Sequence, residues 1–156
     1  MRRILPFVAI LIALSLTGSA ASSAPSRERK IVDRILKTID AVEKEPDPMK
    51  SIDRGAEMAE LVRRHASAAS DPEIVQRLTN LLAAADDGTR GWAAASLGFI
   101  GPRAASAIPA LEKAYEERKN MNGSLRSADA IDLALKRIRT PAGRKGTHVP
   151  PSGRAG

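Results

Sequence analysis

The placement of proline limits what this chain can fold into more than any other feature. Three steps, Asp47-Pro48, Asp71-Pro72 and Gly101-Pro102, cut its middle into segments. Proline lacks a backbone N–H and clashes with the carbonyl four residues earlier, so it belongs at the first turn of a helix and not inside one. An aspartate just before it accepts from the unpaired N–H groups of that turn. Each Asp-Pro step therefore predicts a helix start, and the residue before a proline predicts an end.

Between these marks apolar residues recur at spacings of three and four, the period of one helical face. Segment 27–44 follows Ser26, a good cap, and carries Ile31, Val32, Ile35, Leu36, Ile39 and Val42. Asp33 with Lys37, and Asp40 with Lys44, make pairs one turn apart on its wet side. The helix opened by Asp47-Pro48 has the stripe Ile52, Ala56, Ala59, Val62 and Ala66, with Met58 and Leu61 beside it. The one opened by Asp71-Pro72 aligns Ile74, Val75, Leu78, Leu81, Leu82 and Ala85.

Asp86-Asp87-Gly88 is a turn with cap chemistry. A fourth helix over about 88–100 buries Ala93, Ala94, Leu97 and Ile100, and a fifth carries Ile108, Leu111 and Tyr115. Phe99 and Tyr115 read as core. After a polar break at Asn120 to Ser124, a sixth helix runs to about Arg139 with Leu125, Ala128, Ile131, Leu135 and Ile138 inward. No useful length alternates with strand period. The expectation is an all-α domain of about six helices over 26–139, joined by short loops.

The two ends read differently. Arg2 and Arg3 precede an apolar run of 13 residues, Ile4 to Leu16, and the small residues Gly18 to Ala21. That is the pattern of a secretory signal peptide over 1–21, too short for the roughly 20 residues of a membrane-spanning helix. It implies a periplasmic or secreted protein with no stable membrane anchor after cleavage. Residues 140–156 hold one valine, three prolines and four glycines, and read as a disordered basic tail. Residues 25–139 hold 20 basic and 18 acidic side chains, so the formal charge of +7 comes mostly from the ends. With three per cent aromatics as well, nothing points to nucleic acid as a partner.

Composition narrows the chemistry. There is no cysteine, which removes disulfides, thiolate metal sites and a thiol nucleophile. Alanine supplies 27 residues, so much of the apolar fraction is small side chains that favour helix and close helix approach.

Residues 85–113 carry a further pattern: Asp86-Asp87-Gly88-Thr89-Arg90, Ala93-Ala94, Leu97-Gly98, Ile100-Gly101-Pro102, Ala104-Ala105 and Ile108-Pro109-Ala110-Leu111. It resembles the short HEAT-repeat variant of the phycobilisome-lyase-like group, with Thr89 and Ser96 standing where valine and alanine are usual. The looser likeness covers 72–138, where Leu125-Arg126 stands for a Val-Arg pair. The spacing drifts: Leu78 to Leu111 is 33 residues and Leu97 to Leu135 is 38. The resemblance implies a short α-solenoid of about three helical hairpins. An irregular helical bundle is the alternative. The resemblance also implies that Arg90 and Arg126 tie the aspartate turns of adjacent repeats together.

Candidate sites are few. Asp53, Glu57 and Glu60 share a side of the second helix, but Glu60 and Arg64 pair one turn apart, which reads as a solvated charged face. His65 fits a helix C-terminus, and His148 sits in the tail. There is no HExxH, no GxSxG and no phosphate loop after a strand. The expectation is thus not an enzyme, with no catalytic residue, metal or cofactor. Trp92 has two readings, an exposed anchor on the concave face or a seam residue packed over Gly91 or against the second helix.

Arg90, Trp92 and Arg126 are the candidate partner-binding residues of an exported, non-enzymatic protein-binding scaffold. An inhibitor or immunity protein that neutralises an envelope enzyme is the alternative, and a lyase-like HEAT enzyme is a third reading. Expressed in a host with general secretion, the chain should lose its leader after Ala20 or Ala21. Intact-mass measurement of the exported form checks this, and a mass retaining Met1 to Ala20 counts against it.

Overall fold

The computed structural model describes residues 26–84, 86–119 and 125–140, so the expected leader and all but the first residue of the expected tail lie outside it. The described residues form six α-helices and no strand. They are α1 Ser26–Glu43, α2 Pro48–Arg64, α3 Pro72–Leu81, α4 Asp87–Ile100, α5 Ile108–Lys119 and α6 Leu125–Arg139. The all-α class stands. None of these helices is long and apolar enough to cross a membrane.

The aspartates act as caps where the sequence places them. Asp47 accepts from the backbone N–H of Met49 at 2.9 Å, and Asp71 from that of Glu73 at 2.9 Å. Asp86 does the same for Thr89 at 2.6 Å, one residue before α4 begins. Such a cap is worth about 1 kcal/mol. Gly101 ends α4 at φ 69° and ψ −141°, a conformation that side chains with a Cβ avoid. Two 3₁₀ stretches, Ala68–Ser70 and Gly101–Ala107, were not legible from periodicity. The second bends at Ala104 (φ −92°, ψ 22°) and delivers the chain to α5.

α4 is the central element. It packs against α2 on one side, α6 on the other and α3 behind, while α1 packs on α2 and α5 on α6. Ile35 and Ile39 of α1, Met58 and Val62 of α2, Ile74 and Leu78 of α3, Leu97 of α4, Leu111 of α5 and Ile131 of α6 are fully or almost fully buried in one core.

Small residues fix the distance and direction of α2, α4 and α6. A Cβ placed on Gly98 would lie 3.0 Å from Cα of Ala134, and one on Gly91 would lie 3.6 Å from Cα of Ser127. Both partners stand 36 positions further on, so α4 and α6 run in the same direction. Across the other seam the side chain of Ile52 lies beside Gly88 and the Trp92 ring beside Gly55. The hydroxyls of Ser51 and Thr89 share a hydrogen bond of 2.6 Å. These partners are 36 to 38 positions apart, again in parallel register. The other layer keeps a similar spacing: Arg77 pairs with Asp40 at 2.6 Å and with Glu43, and Arg103 donates to Ser67 at 3.2 Å.

Two sequence expectations change here. Asp40 pairs across helices with Arg77, whose hydrogen bond pulls its carboxyl below the ordinary aspartate value, and Lys44, the expected partner, adds only a smaller charge attraction. The buried stripe of α2 is Ser51, Gly55, Met58, Ala59 and Val62, whereas Ile52, Ala56, Leu61 and Ala66 are only half-buried. At the seam with α4, Ser51 bonds Thr89 and Gly55 makes room for the Trp92 ring, which turns the helix away from its most apolar line.

Gly98→Ala should destabilise the fold by about 1–3 kcal/mol, since its Cβ meets backbone that cannot move alone. Gly91→Ala meets ordinary van der Waals space and should stabilise by about 0.5–1 kcal/mol through helix propensity. Urea denaturation of the two variants beside the parent protein checks the opposite signs.

Candidate functional site

The first turn of α4 gathers polar groups from four segments. Arg90 is only 4% exposed. Its Nε donates to the carbonyl of Leu82 at 3.0 Å, its Nη2 to that of Ala84, and its Nη1 reaches Asp87 at 3.3 Å. These carbonyls lie just past the end of α3, where helical partners have run out. Burial, and then the neighbouring Arg118, push the guanidinium down from its ordinary value. The Asp87 carboxylate also accepts from Ser127 of α6, a fully buried residue.

Arg90 therefore closes the turn between α3 and α4, and its charge faces inward. Its expected place in a contact surface is corrected by this burial. The side chain expected to tie adjacent aspartate turns instead ties Asp87 to the end of α3. Asp87 and Ser127 then make the link to α6.

Trp92, half-buried, lies on the opposite side of the same helix. The indole packs against α2: a Cβ on Gly55 would come within 2.8 Å of its Cδ1. Ser127 of α6 stands over Gly91, its Cα 3.6 Å from where a Cβ would lie. The remaining surface of the ring lines a groove of about 600 Å³ with Ile52, Gly88, Gly91, Ala95 and Ala130. Asp86 and Asp87 stand at the same groove and are the charged groups in its wall.

The groove follows from helix geometry. Gly88, Trp92, Ala95 and Phe99 are spaced four, three and four apart and fall on one face of α4, none of them charged or fully buried. Three of the groove's wall residues are glycine or alanine on α4, and Ala130 faces them from α6. Side chains so short leave a trough between Ile52 and Trp92 on one flank and α6 on the other. Two large apolar side chains on the flanking helices are exposed, Met49 at 72% at the start of α2 and Leu133 at 46% on α6. At the far end Arg137 lies over the Phe99 ring, 5.2 Å from its centroid.

The other sequence candidates separate from this face. Arg126 falls in the first turn of α6, and its side chain lies outside the described residues, as does His148. Glu60 accepts from Arg63 and Arg64 at 2.6–2.8 Å, and these bonds hold its carboxyl down to about 2. It stays ionised at neutral pH, the reverse of what a general acid requires. His65 is the residue at which α2 ends, its N–H donating to Leu61 and Val62. Among the described residues no three or more His, Cys, Asp or Glu side chains are grouped to hold a metal ion.

Sequence reasoning singled out Trp92 and missed what surrounds it. The spacing of Gly88, Ala95 and Phe99 around the tryptophan was the available signal. Ser51, Thr89 and Ser127 carried none, because a hydroxyl on a helix reads as surface until a neighbour is known.

No protein-family model matches the chain, and no curated protein or solved structure matches it either.

Arg90→Met should remove two hydrogen bonds from a charged donor to buried carbonyls and cost about 2–3 kcal/mol. Arg90→Lys, which lacks the planar fork, should recover only part of that loss. Denaturation midpoints of the two variants test the role. A loss within about 0.5 kcal/mol, the range of a surface substitution, would contradict it.

Proposed function

We propose that this chain is an exported protein-binding scaffold of HEAT-like helical repeats, which takes its partner on the face of α2, α4 and α6. The observation that carries the reading is the half-buried Trp92 in a groove of about 600 Å³ spanning three parallel helices. Tryptophan contributes more binding energy per residue than most side chains when a partner completes its burial. Fold class alone would not assign a function; the placement of this side chain is what favours docking.

Two further observations support the repeat. Contacts within the α2–α4–α6 layer join residues 36 to 38 positions apart, and Arg77 and Arg103 bridge the other layer at nearly the same spacing. A solenoid has this property, because each hairpin touches the equivalent residues of the next. The drift between 33 and 38 read from leucine positions then reflects variable turns, with the layer itself kept near one period. The leader-like segment 1–21 supports export, which places the partner in the cell envelope or outside.

The groove floor offers a direct test. Ala95 is half-buried on the groove side, so Ala95→Arg should fill the trough while the core behind it stays intact. The parent chain and Ala95→Arg, matched for thermal stability, are used as baits in envelope extract and compared by quantitative mass spectrometry. The docking face predicts a prey protein that is lost with Ala95→Arg. Identical recoveries for the two baits overturn it.

A further inference from the structure

Past Asp87, the residues of α4 that are not buried are Gly88, Gly91, Trp92, Ala95 and Phe99. Gly88, Trp92, Ala95 and Phe99 form a stripe whose spacing of four, three and four reads the same from either end. Small and large side chains alternate along it. Turning the stripe end for end therefore sets Trp92 on Ala95 and Phe99 on Gly88. A second copy laid antiparallel over the first meets each ring with a residue that has no bulk to oppose it. The groove of about 600 Å³ is the space the second indole enters, because Gly88, Gly91 and Ala95 line it, with Ala130 facing them from α6.

The two ends of the stripe also differ in charge in the sense this arrangement needs. Asp86 and Asp87 stand at the Gly88 end, where the buried Arg90 pairs with Asp87 at 3.3 Å and leaves Asp86 as the surplus charge. At the Phe99 end stands Arg137, exposed, 5.2 Å from the centroid of the ring and in no ion pair among the described residues. The same end-for-end turn brings Arg137 of each copy toward Asp86 of the other.

We infer that two copies of this chain pair face to face through α4, antiparallel about a two-fold axis at the level of Ala93 and Ala94. Such a contact is isologous: each interaction is made twice, and the assembly closes at two copies. This rests on the docking face proposed above and names what covers that face in the isolated protein, so a partner from the envelope competes with the second copy. Three parallel helices roughly 9 Å apart, over the roughly 21 Å length of α4, present a face of about 600 Å². That is the low end for a specific interface and sets a dissociation constant of roughly micromolar.

Sedimentation equilibrium of the purified protein should show a rise from the mass of one chain to that of two between about 0.1 and 100 μM. Trp92 is the chain's only tryptophan, and its emission should shift to the blue over the same range. Ala95→Arg, which sets a guanidinium under the facing indole, should keep the mass of one chain throughout. Two further variants read the register. Trp92→Ala leaves small residues on both sides of the contact, and Ala95→Trp sets ring on ring. Each alone should associate at least about tenfold more weakly than the parent. Mixed together they again oppose every indole with an alanine, so a heterodimer should form that neither makes alone.

A parent protein with the mass of one chain at every concentration overturns the inference and leaves the docking face to the comparison in envelope extract. Ala95→Arg pairing as the parent does places the contact elsewhere and overturns it as well. So does a mixture without heterodimer, from variants that keep the helical circular dichroism of the parent.

Discussion

The first turn of α4 holds the molecule's neighbours in place. Asp86 caps the helix, Thr89 bonds Ser51 of α2, Arg90 bonds carbonyls beyond α3, and Asp87 bonds Ser127 of α6. Three helices and one loop are thus referred to four consecutive side-chain positions, counting across Gly88. Each bond to a charged partner contributes about 1.5–3 kcal/mol, and each is costly to leave unmade in a buried setting. Among the described residues no buried side-chain nitrogen or oxygen lacks a partner. Apolar burial drives the helices together without choosing a rotation or register. This turn supplies both.

Once register is fixed, small residues set the distance. Gly55, Gly91 and Gly98 weaken isolated helices, each by roughly 1 kcal/mol relative to alanine. Gly55 and Gly98 persist because the Trp92 ring and the Ala134 backbone stand where a Cβ would go, whereas Gly91 has ordinary space before Ser127. The same economy of bulk has an outward consequence. α4 is lined with glycine and alanine on its outer side as well as its seams, and among the described residues no helix covers that outer side. The groove is the exposed continuation of a packing style used inside, and Trp92 is the bulky residue at its edge.

Much of the fold was legible because its signals are local. A cap needs a side chain and the next turn, so Asp47, Asp71 and Asp86 announced three helix starts within a residue or two. The stripe of α3 was legible because its buried residues are also its most apolar ones; α4 and α6 bury their expected apolar residues but add Thr89, Arg90, Ser96 and Ser127 to them. α2 departs from that rule. Of its apolar line, Ala59 and Val62 are buried but Ile52, Ala56 and Ala66 are only half-buried, because the contact with α4 is made by Ser51 and Gly55. Arg90 escaped for a related reason. A cation in a turn reads as solvated, and the unsatisfied carbonyls of Leu82 and Ala84 that draw it inward exist only once α3 ends where it does. The candidate site was half legible: the tryptophan stood out by its rarity, whereas the trough around it depends on how three distant segments align.

The two sides of α4 carry different chemistry. Its inner side commits every strong polar group to its own chain, which leaves Arg90 and Ser127 no capacity for an outside partner. Its outer side carries almost no such commitments, and Phe99, Ala95 and Trp92 lose little by being covered. Substitutions there change surface chemistry without disturbing the turn that sets register. Substitutions at Thr89 or Asp87 act on the whole stack. Asp86 and Asp87 stand where the two sides meet, lining the groove while they hold Thr89 and Ser127, so a change at either reaches both the groove and the alignment of the helices.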